Sequence, residues 1–245
     1  MSLATTFQVG ALTISALFAL IRLPMALRGR NPQLFWALVM LSVAIALGIS
    51  PVYLAVDPFL GGNNIANLII RFAMYGFVLI LGLKGAKAFR APRADRLIAG
   101  PVGKAVIAVT VALTTLLFVL ADMPVSSPGL RNYGEQWEVS VYGSLGRAYP
   151  AYVAACLIGP AASVALHRRR PALMRTGSAL LGMGLAAAVL YAVLDVTPLD
   201  VNPWDHLVPY SAVILATLGL VMLFSQRVAS KRQEKQNLLT HSYLK

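Results

Sequence analysis

The sequence is poor in charged residues, and acidic residues are the scarcest of them. Charged residues make up 12% of the 245 residues, against about 25% in an ordinary soluble domain, whereas 58% are hydrophobic. A chain with so little polar surface cannot hide its apolar side chains in a soluble core, so the composition predicts an integral membrane protein. Cys156 is the single cysteine, which excludes an internal disulfide.

The signatures of common enzyme active sites are also missing from the sequence. It contains no Gly-rich phosphate loop, no HExxH zinc motif and no nucleophile elbow, and no apolar stretch carries a deep lysine for a Schiff base. His167 follows one apolar stretch, His206 precedes another and His241 lies in the tail, so the three histidines cannot bind one metal. Asp195, Asp200 and Asp205 lack the spacing of an EF-hand. We therefore expect a protein without enzymatic activity, metal or cofactor.

Apolar stretches long enough to cross a bilayer recur along the whole chain. About 20 residues of helix cover the roughly 30 Å of hydrocarbon, and a backbone in lipid must satisfy its hydrogen bonds internally. The sequence thus predicts an all-α bundle of seven transmembrane helices in one domain, residues 1–226, followed by a short basic tail, residues 227–245. The predicted spans are residues 7–27, 34–56, 65–83, 102–120, 142–166, 176–194 and 207–224.

The connections between these spans alternate in charge. Lys and Arg resist translocation, so basic connections stay in the cytoplasm. Basic residues follow the first, third, fifth and seventh spans, whereas the other connections are mainly acidic. This pattern predicts an outside N-terminus and a cytoplasmic C-terminus in a bacterial plasma membrane. It also accounts for the net charge of +12 without a nucleic-acid partner, and it predicts contact with anionic membrane lipids.

The segment before the first span and the longest connection each lead to a further prediction. Residues 1–6 are uncharged, so they lack the basic region of a signal peptide, and we expect the first span to remain in the protein. Residues 121–141 combine Pro124, Pro128 and Gly129 with several carboxylates, which predicts a folded external cap.

Small residues in the sixth span permit close helix packing. Gly177, Gly182 and Gly184 would let another helix backbone approach. The neighbour could be a helix of the same chain or of a second copy, and we expect the same chain.

Polar residues within the third span form a candidate ligand site. Asn67, Arg71 and Tyr75 recur at four-residue spacing and so share one face of a helix. Arg71 would lie about 10–12 Å from the external end, at about 1.5 Å per residue, which is too deep for easy escape to water. It therefore needs an acceptor or a ligand.

Three residues of other helices are predicted to meet this stripe in the outer leaflet. Asp195 ends the sixth span, Tyr191 lies one turn below it, and Arg147 lies near the start of the fifth span. We expect Asp195 to accept a hydrogen bond from Arg71 or Arg147, in which case the other guanidinium is available to an external anion. The alternative is a purely structural ion pair.

Four short segments carry a resemblance to a known family. They are residues 22–24 (Arg-Leu-Pro), residues 50–57, residues 61–68 (Gly-Gly-Asn-Asn-Ile-Ala-Asn-Leu) and residues 190–193. These segments resemble an actinobacterial family of seven-helix membrane proteins classed as transporters. The resemblance implies a seven-helix topology but brings no substrate or catalytic residue. Family members commonly continue into a cytosolic domain, whereas this sequence stops at Lys245.

Two functions remain open from the sequence. The first is a non-enzymatic membrane protein that binds or passes a small solute through the polar outer-leaflet site. The second is a seven-helix sensory or docking subunit that binds another protein through its cytoplasmic face. Passage would need polar lining on both sides of the midplane, and the inner half of the spans is mainly apolar.

Overall fold

The described part of the chain is mostly helical. The structure is a computed structural model, and it describes residues 3–197, 208, 211–223 and 225–226. These residues form helices and no strand, which confirms the all-α fold class. The helices are α1 (Leu3–Leu27), α2 (Pro32–Gly48), α3 (Ser50–Val56), α4 (Ile65–Ala88), α5 (Pro92–Ala99), α6 (Pro101–Leu120), α7 (Trp137–Leu166), α8 (Ala172–Val196) and α9 (Ser211–Leu223).

Five helical segments of the described residues are long and apolar enough to cross a membrane. They are Gln8–Leu27, Ile65–Ala88, Pro92–Leu120, Trp137–Leu166 and Ala172–Val196. They correspond to the first, third, fourth, fifth and sixth predicted spans. The count rises to six if α2 and the bent helical segment that follows it form one span. These lengths and compositions are those of helices in membrane proteins.

The second predicted span, residues 34–56, is not one straight helix. α2 ends at Gly48, and the helical segment Ser50–Leu60 runs at 93° to it. Ile49, between the two, is extended, with φ −81° and ψ 116°. Pro51 lacks an N–H, and its ring would clash with the carbonyl of Leu47 in a continuous helix, which favours a break here, and Pro51 lies in the first turn of α3 instead. The second predicted span is therefore a sharply bent pair of helical segments, and its crossing of the membrane stays a prediction.

The seventh predicted span, residues 207–224, is described only in part. Within it, α9 covers Ser211–Leu223, which by itself is shorter than the about 20 residues that a span requires. Both predicted ends lie outside the described residues. So do Asp200, Asp205, His206 and the basic tail, residues 227–245.

The chain divides into two compact units. The first comprises Met1–Gly85 and Asp95–Val153, and the second comprises Ala86–Ala94 and Ala154–Lys245. The four largest fully buried side chains among the described residues are tyrosines of the first unit: Tyr53, Tyr75, Tyr142 and Tyr149. A buried tyrosine hydroxyl needs a hydrogen-bond partner, so polar groups are expected beside these rings in the interior of the first unit.

In the second unit, α8 and α9 pack backbone to backbone. A Cβ added to Gly184 would come within 2.7 Å of the Ala212 carbonyl oxygen and 2.6 Å of the Ala216 nitrogen. Gly177 and Gly219 are similarly close to the opposite helix. The small residues of the sixth predicted span therefore pack against a helix of the same chain, as expected.

Candidate functional site around Arg71

The start of α4 is fixed by a buried carboxylate. Asp57 is fully buried, and its Oδ2 and Oδ1 accept hydrogen bonds from the backbone nitrogens of Asn64 and Ala66, each at 2.9 Å. These amides lie at the start of the helix, where the helix itself offers no acceptor and where its dipole favours a negative charge. Asp57 thereby determines where α4 begins and how it is oriented in the first unit.

The same corner holds the connection between α6 and α7. The Asn64 amide donates to the Val125 carbonyl at 2.9 Å and accepts from the Ser127 nitrogen at 2.6 Å. The Ser126 hydroxyl donates to Asp57 Oδ2 at 2.6 Å. The connection also contains a 3-10 helix, Pro128–Tyr133. The prediction that this connection is folded is confirmed.

The predicted polar stripe of α4 is held in place by two other helices. Asn67 Oδ1 accepts a hydrogen bond of 2.9 Å from the Tyr142 hydroxyl of α7. The Tyr75 hydroxyl lies 3.0 Å from Thr114 Oγ1 of α6. Asn67 is 5% exposed and Tyr75 is 1% exposed, so both polar groups are satisfied inside the protein. We call these four residues and Arg71 the Arg71 cluster.

Arg71 is the charged member of the cluster, and it is half-buried. Its guanidinium carbon lies 5.0 Å from the centre of the Tyr142 ring, which is a cation–π contact. The guanidinium also occupies the space that a Cβ on Gly146 would fill. Tyr142 and Gly146 lie one helical turn apart on α7, so a single face of α7 provides both the ring and the space.

The chemistry of this arrangement is that of an anion site. A guanidinium cannot lose its proton in a protein, and its planar fork matches the two oxygens of a carboxylate or phosphate. Contact with an aromatic ring holds the guanidinium without neutralising its charge. The cluster therefore presents a positioned positive charge within the helical core of the first unit.

Aromatic contacts continue along α7 beyond the cluster. The rings of Tyr75 and Tyr149 meet edge to face at 5.5 Å, and those of Tyr149 and Tyr152 stack at 6.5 Å. The Tyr152 hydroxyl donates to the Leu97 carbonyl at 2.6 Å. Such ring pairs add stability beyond simple burial and hold α7 against α4.

The remaining predicted site residues are divided between the two units. Arg147 is in the first unit, where its Nη2 lies 3.7 Å from the position of a Cβ on Gly143, so the side chain runs back toward the start of α7. Tyr191 and Asp195 lie in the last turns of α8, in the second unit, and both are half-buried. Pairing of Asp195 with Arg71 or Arg147 stays a prediction.

Sequence reasoning missed three members of the site. Tyr142 provides the ring, Gly146 the space and Thr114 the hydrogen-bond partner of Tyr75, yet none was predicted. A signal for α7 was present, because Tyr142, Gly146 and Tyr149 lie four and three residues apart and so share one helical face. Thr114 had no comparable signal.

The described residues contain no group of three or more His, Cys, Asp or Glu side chains that could hold a metal ion. Comparisons with models of protein families, with curated proteins and with solved structures found no match for this chain. Function is therefore inferred from the site itself.

Proposed function

We propose that this chain is a non-enzymatic protein of a bacterial plasma membrane that binds a small anionic solute at the Arg71 cluster. We further propose seven spans, with the N-terminus outside and the C-terminus in the cytoplasm. The resemblance to an actinobacterial transporter family stays a prediction and agrees with this proposal. The observation that carries the proposal is the position of the Arg71 guanidinium, between the Tyr142 ring and Gly146.

A charged side chain within a membrane-spanning helix is energetically costly, which favours a functional role for Arg71. Arginine within a membrane helix costs about 2.5–3.5 kcal/mol on insertion scales, and such residues often mark ligand or ion pathways. Arg71 is in α4, a helix long and apolar enough to cross a membrane. The neighbouring polar groups of Asn67 and Tyr75 are engaged with Tyr142 and Thr114. An anionic ligand would therefore be recognised mainly by the guanidinium.

The burial of Tyr75 and Thr114 favours binding of a solute over its passage through the protein. Tyr75 lies one turn beyond Arg71 along α4, and its hydroxyl is within hydrogen-bond distance of that of Thr114 on α6. The two residues are 1% and 0% exposed. A solute that moved past Arg71 would have to break this pair and cross a tightly packed segment. Passage requires polar or hydrated lining along the whole route, which this closed pair does not offer.

The proposal is tested by native mass spectrometry of the full-length protein, gently extracted from its own membrane. The wild type is compared with Arg71→Gln and with the control Arg22→Gln, which removes the same charge from α1. We expect a small anion at stoichiometric level in the wild type and the control, and its loss in Arg71→Gln. Thermal stability of the three proteins in millimolar acetate, succinate or phosphate gives a second measure, since a ligand that binds the native state raises its stability.

Each outcome separates the two functions. A small anion that is retained equally by Arg71→Gln would contradict the proposal, as would a wild type with neither a retained anion nor any stabilisation by the three probes. A stoichiometric polypeptide in place of a small molecule would favour the alternative, a sensory or docking subunit. Truncation of residues 226–245 would then be expected to release that polypeptide.

A further inference from the structure

The end of α7 and the first turns of α8 form a cleft in the second unit. Its volume is about 220 Å³, and it is lined by Ala165, Ala172, Arg175, Thr176 and Ala179. Three of these five residues contribute only methyl side chains, and one contributes a guanidinium. The cleft is thus an apolar groove with a single strong positive group.

Arg175 is anchored in this cleft by the end of α7. Its Nε donates to the Ala165 carbonyl oxygen at 3.1 Å, and the side chain is half-buried. The last carbonyls of a helix have no acceptor role inside the helix, so this bond satisfies one of them and orients the guanidinium. With Nε engaged, the two terminal nitrogens form the edge that can bind two oxygens of a phosphate.

The surroundings of Arg175 add to the positive potential. Arg168, Arg169 and Arg170 lie in the same turn and are exposed. Pro171 precedes α8 and gives its first turn no side-chain hydrogen bond, so the positive end of the α8 dipole is not neutralised there. Four arginines within eight residues favour an anion, and the terminal edge of Arg175 offers it a fixed geometry.

We propose that this cleft binds the phosphate of an anionic membrane phospholipid, with the phosphate on Arg175 and the adjoining lipid chain along Ala165, Ala172 and Ala179. A lipid fits better than free phosphate because the methyl lining gives free phosphate no partner, whereas it gives a lipid chain apolar contact. The basic turn is predicted to face the cytoplasm, where anionic lipids are concentrated. This proposal depends on the proposed membrane location and orientation but not on the Arg71 cluster.

The test uses the full-length protein in detergent, titrated with phosphatidylglycerol or with phosphatidylcholine and read by native mass spectrometry. The variants are Arg175→Gln, Ala179→Leu, which fills the apolar part without changing charge, and the control Arg169→Gln, which removes one charge of the same turn. For the wild type we expect one tightly retained phosphatidylglycerol. In the control its affinity should fall only slightly, because Arg169 adds to the positive potential but does not line the cleft. Affinity should fall about tenfold or more in Arg175→Gln, as for loss of a charge-assisted bidentate contact. Ala179→Leu should also weaken lipid binding.

Several outcomes would overturn the proposal. Equal losses in Arg175→Gln and Arg169→Gln would indicate diffuse attraction to a basic surface, and equal retention of phosphatidylcholine would remove the role of net charge. Displacement of the lipid by millimolar inorganic phosphate, with Ala179→Leu unaffected, would identify free phosphate as the ligand. If Arg175→Gln does not fold, as judged by thermal unfolding, Ala179→Leu still decides, because unchanged lipid binding in that variant contradicts the proposal.

Discussion

The guanidinium of Arg71 lies where the side chain of residue 146 would be if that residue were not glycine. Arg71 of α4 and Gly146 of α7 thus bring the two helices into close contact. Glycine at position 146 admits the charged group to the surface of α7, and Tyr142, one turn earlier, provides the ring that the guanidinium contacts at 5.0 Å. The position of the Arg71 guanidinium is therefore determined by the packing of α4 against α7.

Gly146→Ala is expected to displace the Arg71 guanidinium. The clashing atoms are the end of a flexible side chain, so the arginine can move, and the cost is mainly the lost cation–π contact, about 0.5–2 kcal/mol. Anion binding at the Arg71 cluster should weaken more than stability does. Thermal unfolding and the native mass spectra of the retained solute measure the two effects.

Gly159→Ala is the matched control for this substitution. It places the same methyl group on the same helix, where no atom lies within 4 Å. It should leave stability unchanged or slightly raised, since alanine favours a helix over glycine by about 1 kcal/mol. If the two variants behave alike, Gly146 has no special role in positioning Arg71.

Tyr142 is expected to have two separable roles. Tyr142→Phe removes the hydroxyl that donates to Asn67 but keeps the ring, so the free energy of unfolding should fall by about 1–3 kcal/mol because a buried acceptor loses its partner. Tyr142→Leu also removes the ring and should abolish the cation–π contact in addition. Thermal unfolding measures both, and solute binding that survives in Tyr142→Phe but falls in Tyr142→Leu would assign the ring to the site. Equal binding in the two variants would rule out that role.

The sequence predicts features that depend on neighbouring residues better than features that depend on contacts between segments far apart in the chain. Length and hydropathy locate the five helical segments of the described residues that are long and apolar enough to cross a membrane, because satisfaction of the backbone in lipid is a local requirement. The stripe of Asn67, Arg71 and Tyr75 is also local. Its main partner, Tyr142, lies 75 residues from Asn67 along the chain, and nothing in either segment indicates the pairing. Pro51 indicates in the sequence that the helix is interrupted near Ile49, but the angle of the bend, 93°, depends on packing.

Asp57→Asn is expected to loosen the corner where α4 begins. The carboxylate accepts from two backbone amides and from Ser126, and an asparagine must turn a donor toward one of these donors. Hydrogen bonds to a charged group contribute about 1.5–3 kcal/mol each, so a loss of about 2–3 kcal/mol is expected. Thermal unfolding gives the stability, and limited proteolysis within residues 121–136 should become faster.

The control for this change is Asp122→Asn. Asp122 is exposed, and such surface substitutions usually change stability by no more than about 0.5 kcal/mol. Proteolysis within residues 121–136 should stay at the wild-type rate. An Asp57→Asn protein as stable as this control would show that the buried carboxylate is not what secures the connection.

Gly184→Ala is expected to force α8 and α9 apart. The added Cβ would meet backbone atoms of Ala212 and Ala216, and unlike the end of an arginine these cannot move without shifting a helix. Overpacking of this kind costs about 1–3 kcal/mol, and more where backbone must shift. Gly182→Ala provides the contrast on the same helix, because its Cβ would lie 3.5 Å from the Ala161 Cβ, an ordinary contact. Thermal unfolding of the full chain in detergent should therefore show a clear loss for Gly184→Ala and no loss for Gly182→Ala. Equal stability of the two variants would contradict a direct backbone contact between α8 and α9.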